Sequence, residues 1–208
     1  MSKTILFDVD GTLVDTEKTI IKSFQKTLKD ALGIEPPAEE LFYCLGIPGT
    51  KAIKKYSQSP QQGKELLDLW EVNDHAMFDY SELFSGIETM LQKLTEANIQ
   101  LGIVTSRTDA EMQIVLDHFP IKKYFSTFIT ASMTKLHKPD PDPILKAISD
   151  LHLDPKETLY IGDSIYDFQC ARNAKVNFAL AGWGAKDNPE FEKVDHFLKQ
   201  PTDLLEII

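Results

Sequence analysis

Short unbroken apolar runs recur along the chain and are typical of strands buried on both faces of a parallel sheet. They lie at residues 4–7, 101–105, 127–131, 158–161 and 178–181, with a weaker run at 197–198. Between the later runs, apolar residues recur at helical spacing, which predicts amphipathic helices at 108–118, 143–151 and 164–174. This alternation of strand and helix predicts an α/β fold with a doubly wound parallel sheet.

The segment between the first and second apolar runs has helical spacing and no convincing strand pattern. Its first helix is expected to begin after Thr16 as N-cap and to end at Gly33. The apolar stripe of that helix consists of Ile20, Ile21, Phe24, Leu28, Ala31 and Leu32. We therefore expect two domains, an α/β core at residues 1–14 and 82–208 and an inserted α-helical cap at residues 15–81. Such a cap is expected beside the carboxyl end of the first strand, where it can close over a substrate and exclude water.

Composition and charge restrict the classes of function. Of the 208 residues, 42% are hydrophobic and 26% are charged, as in an ordinary soluble globular protein, and no window is long and apolar enough to span a membrane. The net charge of −10 argues against nucleic acid or an anionic membrane as partner, although a bound metal and a few lysines can still attract a small anion. Cys44 and Cys170 form no Cys-x-x-Cys motif, so we expect two reduced, packed thiols.

Two carboxylates follow the first apolar run directly and precede a Gly-Thr turn. Asp8 and Asp10 are two residues apart, so on an extended chain both side chains point to the same side. The carboxyl ends of strands are where open α/β sheets bind ligands. A strand followed by an ordinary Asp-Gly turn is the alternative explanation of this stretch.

Further polar groups follow the other predicted strands, and each has an alternative explanation when taken alone. Thr105 and Ser106 come after the second strand, although Thr105 can also be read as the cap of the next helix. Lys138 follows the third strand and can be read as a solvated loop lysine. Asp163 and Asp167 follow the fourth strand, and the stretch Gly162-Asp163-Ser164-x-x-Asp167 can be read as an N-cap with a nearby helical acid. Their order along the sheet favours one shared site.

The convergence of Asp8, Asp10, Asp163 and Asp167 predicts a bound cation, because up to four negative charges in a partly desolvated pocket are unstable without one. An all-oxygen ligand set suits a hard ion such as Mg²⁺, which also binds phosphate. Together with Lys138 and nearby hydroxyl groups, this favours phosphoryl transfer in which a carboxylate attacks phosphorus.

Four motifs in order give the chain its resemblance to the haloacid dehalogenase (HAD) superfamily of phosphatases, over nearly its whole length. They are D-V-D-G-T at 8–12, T-S at 105–106, K-P-D-P at 138–141 and G-D-S-I-Y-D at 162–167. The resemblance implies a Rossmann-like core, and the helical insertion is similar to the subtype with its cap between the first two motifs.

The resemblance also implies roles for individual residues. Asp8 is implied as the nucleophile, and Asp10 as the acid for the leaving oxygen and then the base for the hydrolytic water. Mg²⁺ is implied to be bound by Asp8, the backbone carbonyl of Asp10 and Asp163, with Asp167 orienting that shell. The phosphoryl group is implied to be held by Gly11, Thr12, Thr105, Ser106 and Lys138. Dehalogenases of this superfamily lack the second aspartate, so Asp10 disfavours dehalogenation.

Within the superfamily, D-G-T-L-V-D-T-E at 10–17 and the loop at 45–50 are most similar to phosphoglycolate phosphatases. The favoured function is hydrolysis of a small phosphorylated metabolite, a phosphoglycolate-like monoester first. The enzymatic alternatives are a β-phosphoglucomutase-type mutase and an inorganic pyrophosphatase. The non-enzymatic alternatives are a phosphate-sensing or phosphoacceptor module and an inactive interaction scaffold. Because the first strand begins almost at the first residue, we expect no signal peptide and a cytoplasmic location. A monomer or a homodimer is expected.

Overall fold

The structure is a computed structural model that describes residues 4–45, 47 and 49–208. Gly46 and Pro48, which belong to the loop that carries part of the phosphoglycolate phosphatase resemblance, lie outside the described residues. The chain divides into two compact units, Met1–Asp15 with Leu83–Ile208, and Thr16–Glu82. We call them the core unit and the helical unit. Their limits lie one residue beyond the predicted domain limits.

The strands and helices follow in the order of the chain. The strands are β1 (Thr4–Phe7), β2 (Val14–Asp15), β3 (Glu82–Leu83), β4 (Gln100–Val104), β5 (Thr127–Ile129), β6 (Thr158–Gly162), β7 (Asn177–Ala181) and β8 (His196–Leu198). The α-helices are α1 (Glu17–Leu32), α2 (Gly49–Ala52), α3 (Pro60–Ala76), α4 (Ile87–Glu96), α5 (Asp109–His118), α6 (Asp142–Leu151) and α7 (Ile165–Ala174). Short 3-10 helices lie at Ala38–Cys44, Ile53–Lys55, Phe78–Tyr80, Lys122–Tyr124, Ala131–Met133, Pro155–Glu157, Pro189–Lys193 and Pro201–Glu206.

The core unit is built on a six-stranded sheet in the order β5-β4-β1-β6-β7-β8. Every neighbouring pair in this sheet is parallel. From β1 the chain builds outward through β4 and β5, and it then returns to the other side of β1 for β6, β7 and β8. The predicted doubly wound α/β fold is confirmed, and β1 lies at the switch point where such sheets bind ligands.

The central strands are apolar because both of their faces are covered. All four residues of β1 and all five of β6 are buried. The register places Phe7 of β1 beside Ile103 of β4 and Ile161 of β6. Residues that follow these three strands therefore leave the sheet side by side, and this brings together the polar groups described below.

One helix of the core unit is absent from the sequence expectations. Helix α4 begins after Gly86, which has a φ of 91°, and it buries Ile87, Met90, Leu91 and Leu94. The spacing of these four residues is a regular helical pattern. The sequence therefore carried a signal for α4, although no element was predicted for this stretch.

The helical unit packs α1 against α3, and the described residues between Thr16 and Ser81 contain no strand. The ring of Phe24 stacks on the Trp70 indole at a centroid distance of 4.2 Å. The indole N–H donates to Ser23 Oγ at 2.9 Å, which satisfies a polar group inside an apolar cluster.

The two expected ends of α1 turn out differently. Gly33 ends the helix in the left-handed region with a φ of 70°, as predicted. Thr16 occupies the N-cap position, as predicted, but its side chain makes no capping hydrogen bond. Its φ of −106° and ψ of 5° differ from the extended backbone that a side-chain cap normally requires. Across the described ranges, none of the helices has the length and apolar character needed to cross a membrane.

Candidate active site

Asp8 leaves β1 at the point where the strand's last ladder bond is made. Its backbone N–H donates to the Ile161 carbonyl at 2.9 Å, and the residue is only 8% exposed. The Lys138 ammonium lies 2.8 Å from Asp8 Oδ1. Burial raises the pKa of Asp8 to about 7, and the charge of Asp167 adds to this effect while Lys138 opposes it. Asp8 is therefore a partly desolvated carboxylate held beside one cation.

Lys138 is a buried cation surrounded by three acceptors. Its Nζ donates to Asp167 Oδ1 at 2.7 Å and to the Tyr160 hydroxyl at 2.9 Å, in addition to its contact with Asp8. Burial alone would lower the pKa of Lys138, but the charges of Asp167 and Asp8 raise it well above its ordinary value. An ammonium has three donors, so this lysine is charged and fully engaged. The solvated-loop explanation of Lys138 is excluded by its burial.

Asp167 combines a capping role with a role at the site. Its Oδ2 accepts from the backbone N–H and the hydroxyl of Ser164, and its own N–H donates to Ser164 Oγ, which forms a capping box at the start of α7. Its Oδ1 accepts from Lys138 and lies 2.7 Å from the Tyr160 hydroxyl oxygen. The capping explanation offered for this motif is thus correct for Ser164 and Asp167, and Asp167 in addition fixes Lys138.

Tyr160 is a part of the site that the sequence reasoning missed. It is a fully buried residue of β6, and its hydroxyl accepts from Lys138. Its single O–H has two acceptors within reach, Asp167 Oδ1 at 2.7 Å and the Val104 carbonyl at 3.1 Å. In sequence it is an apolar-flanked residue inside a strand, so its spacing alone suggested only a place in the core.

The turn after Asp8 is fitted closely to Asp163. Gly11 has a φ of 74°, and a Cβ at this position would lie 2.2 Å from Asp163 Oδ2, so both the backbone and the space require glycine. Thr12 Oγ1 donates to Asp163 Oδ1 at 3.1 Å. The loop after β7 supports the turn, because Trp183 Nε1 donates to the Thr12 carbonyl at 2.9 Å and a Cβ at Gly184 would lie 1.8 Å from the Gly11 carbonyl oxygen.

The three carboxylates of Asp8, Asp163 and Asp167 form a cluster that fits a hard cation. One oxygen of each lies within 4.8 Å of the others. Burial, followed by the charges of Asp167 and Asp8, raises the pKa of Asp163 well above its ordinary value. One ammonium faces three carboxylates here, so a divalent ion would relieve the remaining repulsion, and oxygen ligands suit Mg²⁺. Both oxygens of Asp167 already accept two hydrogen bonds each, which fits an orienting role better than direct ligation.

Asp10 has a partner that the sequence reasoning also missed. Arg107 Nε donates to Asp10 Oδ2 at 2.8 Å, and Arg107 Nη2 donates to Asp10 Oδ1 at 2.7 Å. Arg107 directly follows the Thr105-Ser106 pair, and a basic residue at that place was the only signal in the sequence.

The Thr105-Ser106 pair lies on the turn after β4. Thr105 is buried, its N–H donates to the Ile129 carbonyl at 2.9 Å, and its Oγ1 accepts from the Arg107 N–H at 3.2 Å. Ser106 is exposed on the same turn. The N-cap of α5 is Thr108, which forms a capping box with Glu111, so the helix-cap explanation of Thr105 is excluded.

Comparisons with known proteins agree with this geometry. The profile of a family described as haloacid dehalogenase-like hydrolase matches residues 5–181. A Clostridium perfringens protein named "Putative pyrophosphatase PpaX" is 33% identical over 216 residues, which cover 100% of this chain and 98% of that protein. A Bacillus velezensis protein named "Pyrophosphatase PpaX" is 32% identical and covers 98% of this chain and 94% of its own length. The crystal structure of a Lactobacillus plantarum protein described as a "putative phosphoglycolate phosphatase" superposes with a TM-score of 0.90 at 29% identity, over 100% of both chains.

Proposed function

The chain belongs to the haloacid dehalogenase-like hydrolase family, and from this premise we propose that it is a phosphatase that uses Asp8 as nucleophile. The observation that carries the proposal is the cluster of Asp8, Lys138, Asp163 and Asp167 at the switch point of the sheet. A buried carboxylate beside a buried cation is suited to attack a phosphoryl group, whose oxygens need positive charge around them. The expected resemblance to this family is confirmed.

In the proposed reaction, Asp8 attacks phosphorus and the bond from phosphorus to the leaving oxygen breaks. This step forms an aspartyl-phosphate on Asp8, which water then hydrolyses. Lys138 faces the same carboxylate and stabilises the charge on the transferred phosphoryl group. Thr105, Ser106 and the turn at Gly11 and Thr12 are proposed to hold its oxygens, since Thr105 follows β4 and the turn follows β1, which are neighbours in the sheet.

Mg²⁺ is the proposed cofactor. Asp8, Asp163 and the backbone carbonyl of Asp10 would hold it, and Asp167 would orient that set through Lys138 and Ser164. When bound, the ion supplies positive charge that screens Asp8 from Asp163 and neutralises phosphate oxygens. Asp10 is proposed as the acid that protonates the leaving oxygen and as the base that later accepts a proton from the water.

Two small phosphorylated compounds are the leading substrate candidates. The motif pattern of the chain favours a phosphoglycolate-like monoester, and the structural neighbour from Lactobacillus plantarum supports this choice. The full-length relatives at 32–33% identity carry the name pyrophosphatase, which supports inorganic pyrophosphate. A mutase would share Asp8, Asp10 and Lys138, but it would return the phosphoryl group to its substrate without net release of phosphate.

The test is phosphate release from phosphoglycolate, pyrophosphate, hexose phosphates and nucleotides, with Mg²⁺ or with EDTA. Wild type is compared with Asp8→Asn and with Asp150→Asn, a control at an exposed carboxylate on α6 that pairs only with Lys146 at 2.7 Å among the described residues. We expect Mg²⁺-dependent release that Asp8→Asn abolishes and Asp150→Asn preserves. Isomerisation without release would favour the mutase. Stable phosphorylation or phosphate binding without turnover would favour a phosphoacceptor module and contradict the proposal.

A further inference from the structure

The Asp10 carboxylate is bound by the guanidinium of Arg107, and the backbone N–H and carbonyl of Arg107 are both hydrogen-bonded. Two parallel N–H···O bonds of 2.7 and 2.8 Å join Arg107 to Asp10. The Arg107 N–H donates to Thr105 Oγ1 at 3.2 Å, and its carbonyl accepts from the Ala131 N–H at 2.8 Å. The Arg107 side chain is 9% exposed, while that of Asp10 is 31% exposed. The guanidinium is therefore buried against Asp10, and part of the Asp10 side chain remains exposed to solvent.

We call the two parallel bonds from Arg107 to Asp10 the Arg107 fork. It differs in kind from an ordinary surface ion pair. Two parallel, charge-assisted bonds fix the plane of the carboxylate as well as its distance, and a lysine at the same place would act only as a point charge. Arg172 and Asp195 offer the contrast in the same unit, since Nη1 and Oδ1 are 3.9 Å apart and the Arg172 side chain is 57% exposed. Such an exposed pair contributes little to geometry or stability.

We propose that Arg107 is a positioning residue that holds the plane and the rotamer of Asp10 for proton transfer to the leaving group. The inference rests on the proposed phosphatase function. In the first step the Asp10 O–H gives its proton to the leaving oxygen while the bond from that oxygen to phosphorus breaks and the bond from Asp8 to phosphorus forms. In the second step Asp10 accepts a proton from water, whose oxygen bonds to phosphorus while the Asp8 bond breaks. Each Asp10 oxygen accepts one hydrogen bond from Arg107, and the proton is exchanged at the second lone pair of one of these oxygens.

A role through Asp10 makes the effect of Arg107 depend on the leaving group. A weakly basic leaving group departs with little need for a proton, whereas a more basic one needs a well-placed acid. A residue that bound the substrate phosphate directly would instead affect all phosphate monoesters to the same degree. Arg107 is nearly buried, which favours the first of these roles.

The experiment measures kcat/KM with phenyl phosphate and with p-nitrophenyl phosphate, which has the less basic leaving group. The variants are Arg107→Gln and Arg107→Lys, with Arg172→Gln as matched control, and circular dichroism checks that each is folded. Because general acid catalysis contributes about 10² to 10⁴-fold, we expect Arg107→Gln to lower kcat/KM about 100-fold for phenyl phosphate. With p-nitrophenyl phosphate the loss should stay below about tenfold, and Arg107→Lys, which keeps the charge without the fork, should show an intermediate selective loss.

A double-mutant comparison separates action through Asp10 from any other role. In an Asp10→Ala background, Arg107→Gln should change kcat/KM for phenyl phosphate less than about twofold, since the partner of the fork is already gone. Equal losses with both substrates, or a full effect of Arg107→Gln in the Asp10→Ala background, would overturn the inference and leave the phosphatase proposal intact. Wild type that releases no phosphate in Mg²⁺ from these two compounds or from any member of the substrate panel above, or an Asp8→Asn variant that remains active, would contradict the phosphatase proposal and remove the inference with it.

Discussion

Replacing Tyr160 by phenylalanine removes one hydroxyl from the buried network around Lys138 and changes no other atom. The hydroxyl accepts a hydrogen bond from Lys138 Nζ at 2.9 Å and lies 2.7 Å from Asp167 Oδ1. The Lys138 side chain is 4% exposed and that of Asp167 is fully buried, so bulk water does not replace the lost partner. The variant leaves one N–H of Lys138 without an acceptor and removes one donor from Asp167.

The size of the effect follows from these two bonds. A hydrogen bond to a charged group contributes about 1.5–3 kcal/mol, and a buried group left unsatisfied carries its desolvation cost in full. Both bonds meet at the Tyr160 oxygen, and Lys138 can shift toward its two remaining carboxylates, so the losses are less than additive. We expect the free energy of unfolding to fall by about 2–3 kcal/mol. For a chain of this length that corresponds to a decrease in melting temperature of roughly 4–12 °C.

Calorimetry in EDTA measures this decrease and resolves the core and helical units if they unfold separately. Tyr80→Phe is the control, because Tyr80 is 48% exposed and a change at such a position is expected to stay within about 0.5 kcal/mol. If Tyr160→Phe lowered stability no more than Tyr80→Phe, the hydroxyl would not be a third acceptor for Lys138. That result would refute the description of the ammonium as fully engaged.

Four further predictions follow from the charges and backbone of the chain. Mg²⁺ at 100 times its dissociation constant should stabilise wild type by about 2.7 kcal/mol in thermal unfolding; an equal gain in Asp163→Asn would contradict the proposed ligand set. Without metal, the pKa values of Asp8 and Asp163 are higher in the folded state than in the unfolded chain, and the pKa of Asp8 is raised to about 7. Stability from these groups is therefore present below about pH 4 and is lost as pH rises through their folded-state pKa values; urea unfolding in EDTA at several pH values should show this decline, and a profile that rises over the same range would argue against it. Burial raises the pKa of Cys44 and of Cys170 to about 12, so a thiol reagent at neutral pH should modify neither until the protein is denatured, and rapid labelling of the native protein would count against their burial. Gly33→Ala should lower the free energy of unfolding by about 1 kcal/mol in urea, and Gly33→Asn should lower it less, because a φ of 70° strains a residue with a Cβ even though no atom lies within 4 Å. An alanine variant as stable as wild type would contradict this explanation.

Much of the fold follows from local patterns in the sequence. Continuous apolar runs identified β1, β4, β5, β6 and β7, because strands covered on both faces cannot carry exposed polar positions. Gly33 was recognised as the end of α1, because a left-handed residue at a helix end favours glycine. Helix α4 was missed even though its apolar spacing is regular, and Thr16 was placed correctly at the N-cap although its side chain makes no capping hydrogen bond.

The sequence by itself determined which groups stand at the ends of the strands, since Asp8, Thr105 and Asp163 each directly follow an apolar run or its final glycine. Parallel strands bring their carboxyl ends to one edge, so this pattern was enough to predict a shared site and a cation. Only the tertiary structure decided which side chains are hydrogen-bond partners. Arg107 donates to Asp10, and the Tyr160 hydroxyl is the third acceptor of Lys138. The partners in these contacts lie 97 and 22 residues apart in sequence, and Tyr160 looks like an ordinary core residue in its own strand. The physical reason is that spacing along a chain specifies the face on which a side chain lies, whereas the partner that it meets there depends on how the strands are ordered in the sheet.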